Sequence, residues 1–192
     1  MPQAHPQAFA FLSARRSHPA KLFRAPVPTR AELMAILTTA TRVPDHGKLE
    51  PWRLMVVEKP GMAKLADLAE ARARETGGDA EMIGKGRGQY DQGLLAVVVI
   101  SSPKPTPKIP LTEQRASAAA LCMNLVNAAE ASGWGACWLS GWPSHDPVFS
   151  ARAFGCEGDE IVMGVVHIAT PPPEEAPDRP RPDLSRIVSF LD

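Results

Sequence analysis

The sequence has no excess charge of either sign. Lysine plus arginine and aspartate plus glutamate each number 21 among 192 residues, so the formal net charge is zero. No global field draws the chain to nucleic acid, anionic lipid or acidic substrates, and any anion it binds must be held by a local cluster. Cysteine is scarce: Cys122, Cys137 and Cys156 form an odd set with separations of 15 and 19 residues. No CxxC or zinc-knuckle pair exists, so the three read as reduced thiols of a cytosolic protein. Long apolar runs are missing too. The longest, residues 94–100, has seven residues, against the roughly 20 that a membrane-spanning helix needs. The first residues carry neither the basic flank nor the apolar stretch of a secretory signal, and no internal repeat is visible. The expectation is a soluble, cytoplasmic protein without nucleic-acid or membrane partners.

A hydrophobic fraction of 44% is enough for a core without staples; a domain of about 150 residues buries roughly 70% of the surface its unfolded chain exposes. A single domain over residues 1–192 is expected, with 171–192 as a proline-rich arm. Of the 20 prolines, four fall within residues 103–110 and six within 171–182. Proline fixes φ and cannot feed a central ladder, so the first cluster reads as a loop and the second as an extended segment. For that segment two readings stand, a disordered tail or an arm laid on another subunit. Ile187, Val188, Phe190 and Leu191 favour docking, since a solvated tail has no use for them.

Helices and strands can be read between these marks. Thr29 and Glu32 form a capping box ahead of Leu33, Ile36, Leu37 and Ala40 at helical spacing. Residues 52–58 read as a strand, and 62–75 as an amphipathic helix with Leu65 and Leu68 inward, stopped by Gly77 and Gly78. The Val- and Ile-rich run at 94–101 predicts a strand buried on both faces. Residues 112–132 carry the longest helical pattern, with Ala118, Leu121, Leu125 and Ala128 on one side and Gly133 as its stop. A short strand follows at 136–139. Asp146 then caps a helix with Pro147 at its first position and Gly155 at its end, and 161–169 is a last strand. Without regular βαβ spacing, the fold class is α+β.

Three segments could carry chemistry. Arg15-Arg16-Ser17 follows an apolar stretch, and two guanidinium forks with a hydroxyl can hold a phosphate. Each such bond contributes about 1.5–3 kcal/mol net, short of the roughly 12 kcal/mol of nanomolar binding, so the rest must come from an apolar part of the ligand. A basic, solvated helix end is the bland alternative. The second segment, RVPDHGKLEPW from Arg42 to Trp52, puts Arg42, His46 and Lys48 on a loop entering a strand, with Gly47 allowing close backbone approach to a ligand. Asp45 and His46 could also be metal ligands or an acid/base pair, although no second ligand stands at i, i+4 and the other histidines are scattered. The third segment, Gly133 to Pro143, is a Gly-flanked strand beside Trp134, Trp138 and Trp142. It reads either as a flat slot for an aromatic ligand or as packed indoles. Cys137 has no base near it and reads as packing.

Taken together, in this order and at this spacing, the three segments resemble the nitroreductase family, and in particular its short bacterial NAD(P)H nitroreductase branch. The resemblance covers roughly residues 9–170 and rests chiefly on RVPDHGKLEPW. It implies a central mixed or antiparallel sheet flanked by helices, an FMN-dependent homodimer with the flavin in interface clefts, and a C-terminal arm extending onto the partner subunit. It implies that Arg15, Arg16 and Ser17 face the FMN phosphate. Arg42 and His46 would lie along the cofactor, from the other subunit, while Trp138, Leu139 and Ser140 line the ring. Ala128, Ala129, Glu130, Ala131, Ser132 and Gly133 match a segment associated with the nicotinamide nucleotide. The chain departs from the family where Leu139 replaces a lysine or arginine, Asp45-His46 a serine pair, and Glu50 a glutamine.

The expected activity is hydride transfer from NAD(P)H to nitroaromatic, quinone-like or other conjugated acceptors by ping-pong turnover, with no side chain acting as a covalent nucleophile. Two rivals stand beside it: a flavin-storage or sensor protein without turnover, and a metal hydrolase built on Asp45 and His46.

Overall fold

The structure, a computed structural model, describes residues 3–191. In chain order the elements are α1 (Pro6–Ala14), α2 (Arg30–Ala40), β1 (Trp52–Glu58), α3 (Lys59–Glu75), α4 (Ala80–Gly88), β2 (Leu95–Ser101), α5 (Leu111–Ala131), β3 (Gly135–Leu139), α6 (Trp142–His145), α7 (Pro147–Phe154) and β4 (Ile161–Ala169). Single 3-10 turns occur at Ala20–Leu22, His46–Lys48 and Leu184–Arg186. The four strands lie in the order β1-β2-β4-β3, and all three pairings are antiparallel.

β2 pairs on both edges, and every one of its residues is buried. Its alternation divides the interior in two. Leu95, Val97 and Val99 join the apolar face of α2 and α5, whereas Ala96, Val98 and Ile100 join that of α3 and α7, as a pleated strand covered on both faces requires. The fold is therefore α+β, a sheet between two helical layers. α5 lies against β2, β3, β4 and α2, burying Ala118, Leu121, Leu125 and Ala128 as their spacing predicts. The Thr29–Glu32 capping box is formed in both directions.

Two stretches differ from the sequence reading. α3 starts three residues earlier than expected, because Pro60 at its first turn needs no N–H partner. Residues 76–93, between the helix and strand read at 62–75 and 94–101 and assigned no element there, contain α4; its three glycines mask the helical pattern, although Asp79 caps it by accepting from the Met82 N–H at 2.8 Å. Gly47 packs closely against Ile109. It sits at φ 73°, and a Cβ there would lie 2.7 Å from Ile109 Cδ1.

His167 on β4 is buried. Its Nε2 donates to the Gln89 carbonyl at 3.0 Å, and its Nδ1 has no partner among the described residues. Burial pushes its pKa down from 6.5 to about 4, because a second N–H in this place would have no acceptor. The unfolded chain therefore takes up a proton below about pH 6.5 that the fold refuses. Stability contributed by neutral His167 is complete above that pH and falls by about 1.4 kcal/mol per unit as pH drops toward 4. Denaturant midpoints between pH 7 and 4 should follow this slope in the wild type and flatten in His167→Gln.

Candidate functional site

α1 ends at Ala14, and the chain leaves it extended through Arg15, whose N–H still bonds Phe11 O at 2.8 Å. That exit aims Arg15, Arg16 and Ser17 at the C-terminal end of α5 and at β3. There they border a cleft of about 580 Å³ with Pro19, Met123, Val126, Cys137, Trp138 and Leu139. The proline-rich segment adds Pro177, Arg179 and Arg181 to the lining. Two sequence-distant candidates, the Arg-Arg-Ser tripeptide and the Trp138–Leu139 strand end, thus share one cavity. Past Pro19 and Leu139 a second hollow of about 550 Å³ opens, lined by Lys21, Lys85, Gln89, Ser140, Gly141 and Trp142 among others. Both volumes fall in the roughly 300–1,000 Å³ range of small-molecule sites.

Four arginines line the cleft. Arg15 Nε donates to Glu130 Oε2 at 2.8 Å and its Nη2 to Ser17 Oγ at 3.1 Å; the Ser17 hydroxyl donates to Glu130 Oε1 at 3.1 Å. Arg16 donates through Nε and Nη2 to Asp178, and this guanidinium holds the Asp178 carboxyl below its ordinary pKa. Arg181 Nη2 caps the Ser13 carbonyl at 2.6 Å, and the His18 ring contacts Glu174 O at 2.9 Å. In this chain, residues 174–181 therefore lie along the segment at 13–18. Arg179 and Arg181 were missed by the sequence reading. Two arginines inside a proline-rich arm were the available signal, but nothing local says which surface the arm covers.

The three tryptophans do not build one slot. Trp138 borders the cleft, 37% exposed, with its indole N–H on Met163 O at 3.2 Å. Trp142 borders the second hollow and bonds Met82 O at 2.9 Å. Trp134 packs against the α2–α5 core. Leu139 faces both cavities. Ser140 Oγ is 3.0 Å from His145 Nε2. Burial pushes the Cys137 thiol up, away from nucleophile behaviour.

Arg42 and His46 are elsewhere. His46 Nδ1 pairs with Glu113 Oε1 at 2.8 Å at the opposite end of α5, beside a third hollow of about 520 Å³. From Glu113 to Glu130 the helix rises about 25 Å at 1.5 Å per residue, so one chain does not bring these residues to the Arg15 cleft. Exposed Arg42 leads out of α2, where the Asn124 side chain bonds the carbonyls of Thr39, Ala40 and Arg42. Asp45 accepts the N–H groups of Leu49 at 3.0 Å and Glu50 at 2.9 Å, shaping its own loop. Lys48 and Glu50 are held there at φ 54° and 48°, a strain that needs such supports. Among the described residues no group of three or more His, Cys, Asp or Glu side chains converges. No described helix is long and apolar enough to cross a membrane.

Of the segment 128–133, Ala128 and Ala129 are in the core. Ser132 Oγ bonds back to Ala128 O at 2.7 Å, and only Glu130 reaches the cleft residues.

The α+β frame thus sets a cation-lined cleft beside β3. The nitroreductase family profile matches residues 12–169, and the chain belongs to that family. It is 31% identical to "Putative NAD(P)H nitroreductase YdjA" of Escherichia coli strain K12 over 96% of this chain and 99% of the relative. It is 33% identical to a "Putative NAD(P)H nitroreductase" of Haemophilus influenzae, over 85% of this chain and 88% of the relative. Among solved structures, the nitroreductase-like family protein of Bacillus cereus superposes with a TM-score of 0.75 at 20% identity, covering 100% of this chain and 99% of that one. A mutant of the FMN and NADPH-dependent nitroreductase NfnB from sphigopyxis sp. strain HMH gives 0.74 at 20% identity, covering 96% and 99%. These two likenesses establish the fold.

Proposed function

We propose that the chain is an FMN-dependent oxidoreductase that takes hydride from NAD(P)H and reduces nitroaromatic, quinone-like or other conjugated acceptors by ping-pong turnover, acting as a homodimer. One observation carries this reading: a single cleft is lined both by guanidinium groups and by apolar side chains. An anionic tail on a planar apolar body is the ligand shape that fits, and FMN has it. Arg15, Arg16, Ser17, Arg179 and Arg181 would hold the phosphate, while Trp138, Leu139 and Ser140 border the ring. Bound there, the flavin would supply the two-electron hydride chemistry. The side chains orient the ring and keep one face open to donor and acceptor in turn. The likeness to the Escherichia coli NAD(P)H nitroreductase YdjA supports a nicotinamide nucleotide as reductant.

The dimer rests on unpartnered surface. Ala116, Ala119, Ala120 and Met123 form an accessible stripe on α5, flanked by Arg115 Nε and Asn127 Oδ1, which are buried without partners among the described residues. On α1, Phe9 and Leu12 are exposed, and the tail exposes Ile187, Phe190 and Leu191. Two α5 helices packed across a two-fold axis perpendicular to them would run antiparallel. Each His46 end would then meet the partner's Arg15 end, which is how Arg42 and His46 would reach the cofactor.

Purified protein should be yellow, and its flavin band should bleach anaerobically with NADH or NADPH. A colourless protein that FMN cannot reconstitute would overturn the reading. Leu139, where the resemblance leads one to expect a basic residue, favours a second reading of storage or sensing. Bound flavin with no NAD(P)H oxidation in the presence of menadione or a nitrofuran would decide for it.

A further inference from the structure

We infer that Glu130 is a positioning residue: it grips the Arg15 guanidinium by one edge and so pre-forms the phosphate claw. This rests on the FMN reading above and deepens it. Arg15 Nε is on Glu130 Oε2, Arg15 Nη2 is on Ser17 Oγ, and Ser17 Oγ is on Glu130 Oε1, at 2.8, 3.1 and 3.1 Å. An ionised carboxylate only accepts, so the single Ser17 proton is committed to Glu130, and the three groups close a ring. A guanidinium has five N–H donors. The ring uses one on Nε and one on Nη2, which leaves both donors of Nη1 and the second of Nη2 for a ligand.

Glu130 stands in the last turn of α5, where the negative end of the helix dipole disfavours an acid. Its side chain is only 10% exposed and that of Arg15 19%. An acid kept against the dipole and mostly out of water needs a cation, and Arg15 is the one placed there. Holding that guanidinium still before a ligand arrives removes ordering that binding would otherwise have to impose. The charges also match. Four guanidinium groups (Arg15, Arg16, Arg179, Arg181) less two carboxylates (Glu130, Asp178) leave a formal +2, the counterpart of a phosphate monoester dianion.

FMN and riboflavin share the ring and differ by the phosphate, so titrating the flavin-free full chain with each separates claw from slot. In Glu130→Ala the dissociation constant for FMN should rise at least tenfold while that for riboflavin stays within twofold. Glu130→Gln, whose amide oxygen still accepts the Nε–H, should recover most of the FMN affinity. The assignment is overturned if wild type binds FMN and Glu130→Ala binds it equally well or more tightly, which would make the carboxylate a competitor of the phosphate. It is overturned as well if both flavins are lost together with a lowered melting temperature. A wild-type chain that binds neither flavin would instead remove the cofactor reading, and the assignment with it.

Discussion

Arg15→Ala is expected to weaken FMN binding by two orders of magnitude or more while lowering the melting temperature by only a few degrees. Two charge-assisted bonds to a phosphate are worth about 3–6 kcal/mol net, which is roughly 10²- to 10⁴-fold in affinity. The same substitution strips Glu130 of its guanidinium, leaving a largely buried carboxylate facing the phosphate and adding repulsion to the lost attraction. The fold should tolerate the change, because α1 contributes no buried residue and Arg15 belongs to none of the three apolar clusters. Fluorescence titration with FMN, set beside a thermal melt, reads both quantities. Unchanged flavin affinity would remove the phosphate role of the tripeptide.

Ile187→Asp together with Phe190→Asp should turn a dimer at micromolar concentration into a monomer and make it lose flavin. In one chain these side chains are 66% and 89% exposed, so the subunit fold does not depend on them. In a two-fold dimer each loss counts twice, and four apolar side chains at about 1.5–3 kcal/mol each come to about 6–12 kcal/mol of burial removed. Flavin retention should fall alongside, since Arg42 and His46 would no longer be delivered to the Arg15 cleft. Light scattering with absorbance detection follows mass and yellow colour in one run. A monomeric wild type that retains FMN would refute the dimer as part of the site.

Legibility in the sequence followed how local each cause is. The strands Trp52–Glu58 and Ile161–Ala169 were readable to the residue, since β-branched runs bounded by turn residues leave little choice. Asp146, Pro147 and Gly155 delimited α7 for the same reason: the cap accepts from Phe149 N at 2.6 Å, and Gly155 takes φ 63°. α4 stayed hidden because glycine erases periodicity without preventing a helix that α3 supports from outside. Trp134, Trp138 and Trp142 looked alike as letters. Their separation between core, cleft and second hollow depends on which neighbours happen to fill each side.

What the residues determined alone was a menu: an α+β chain with no field of its own, one cationic tripeptide, one turn-rich loop and one Gly-flanked strand. Which of these share a cavity was settled by the tertiary structure. Antiparallel pairing of β3 with β4 and the 21-residue length of α5 place Trp138, Leu139 and Glu130 at the Arg15 end and His46 at the other. The physical reason is distance along a rigid rod. Hydrogen-bond periodicity fixes how far apart the ends of a helix lie, but only packing decides what stands at each end.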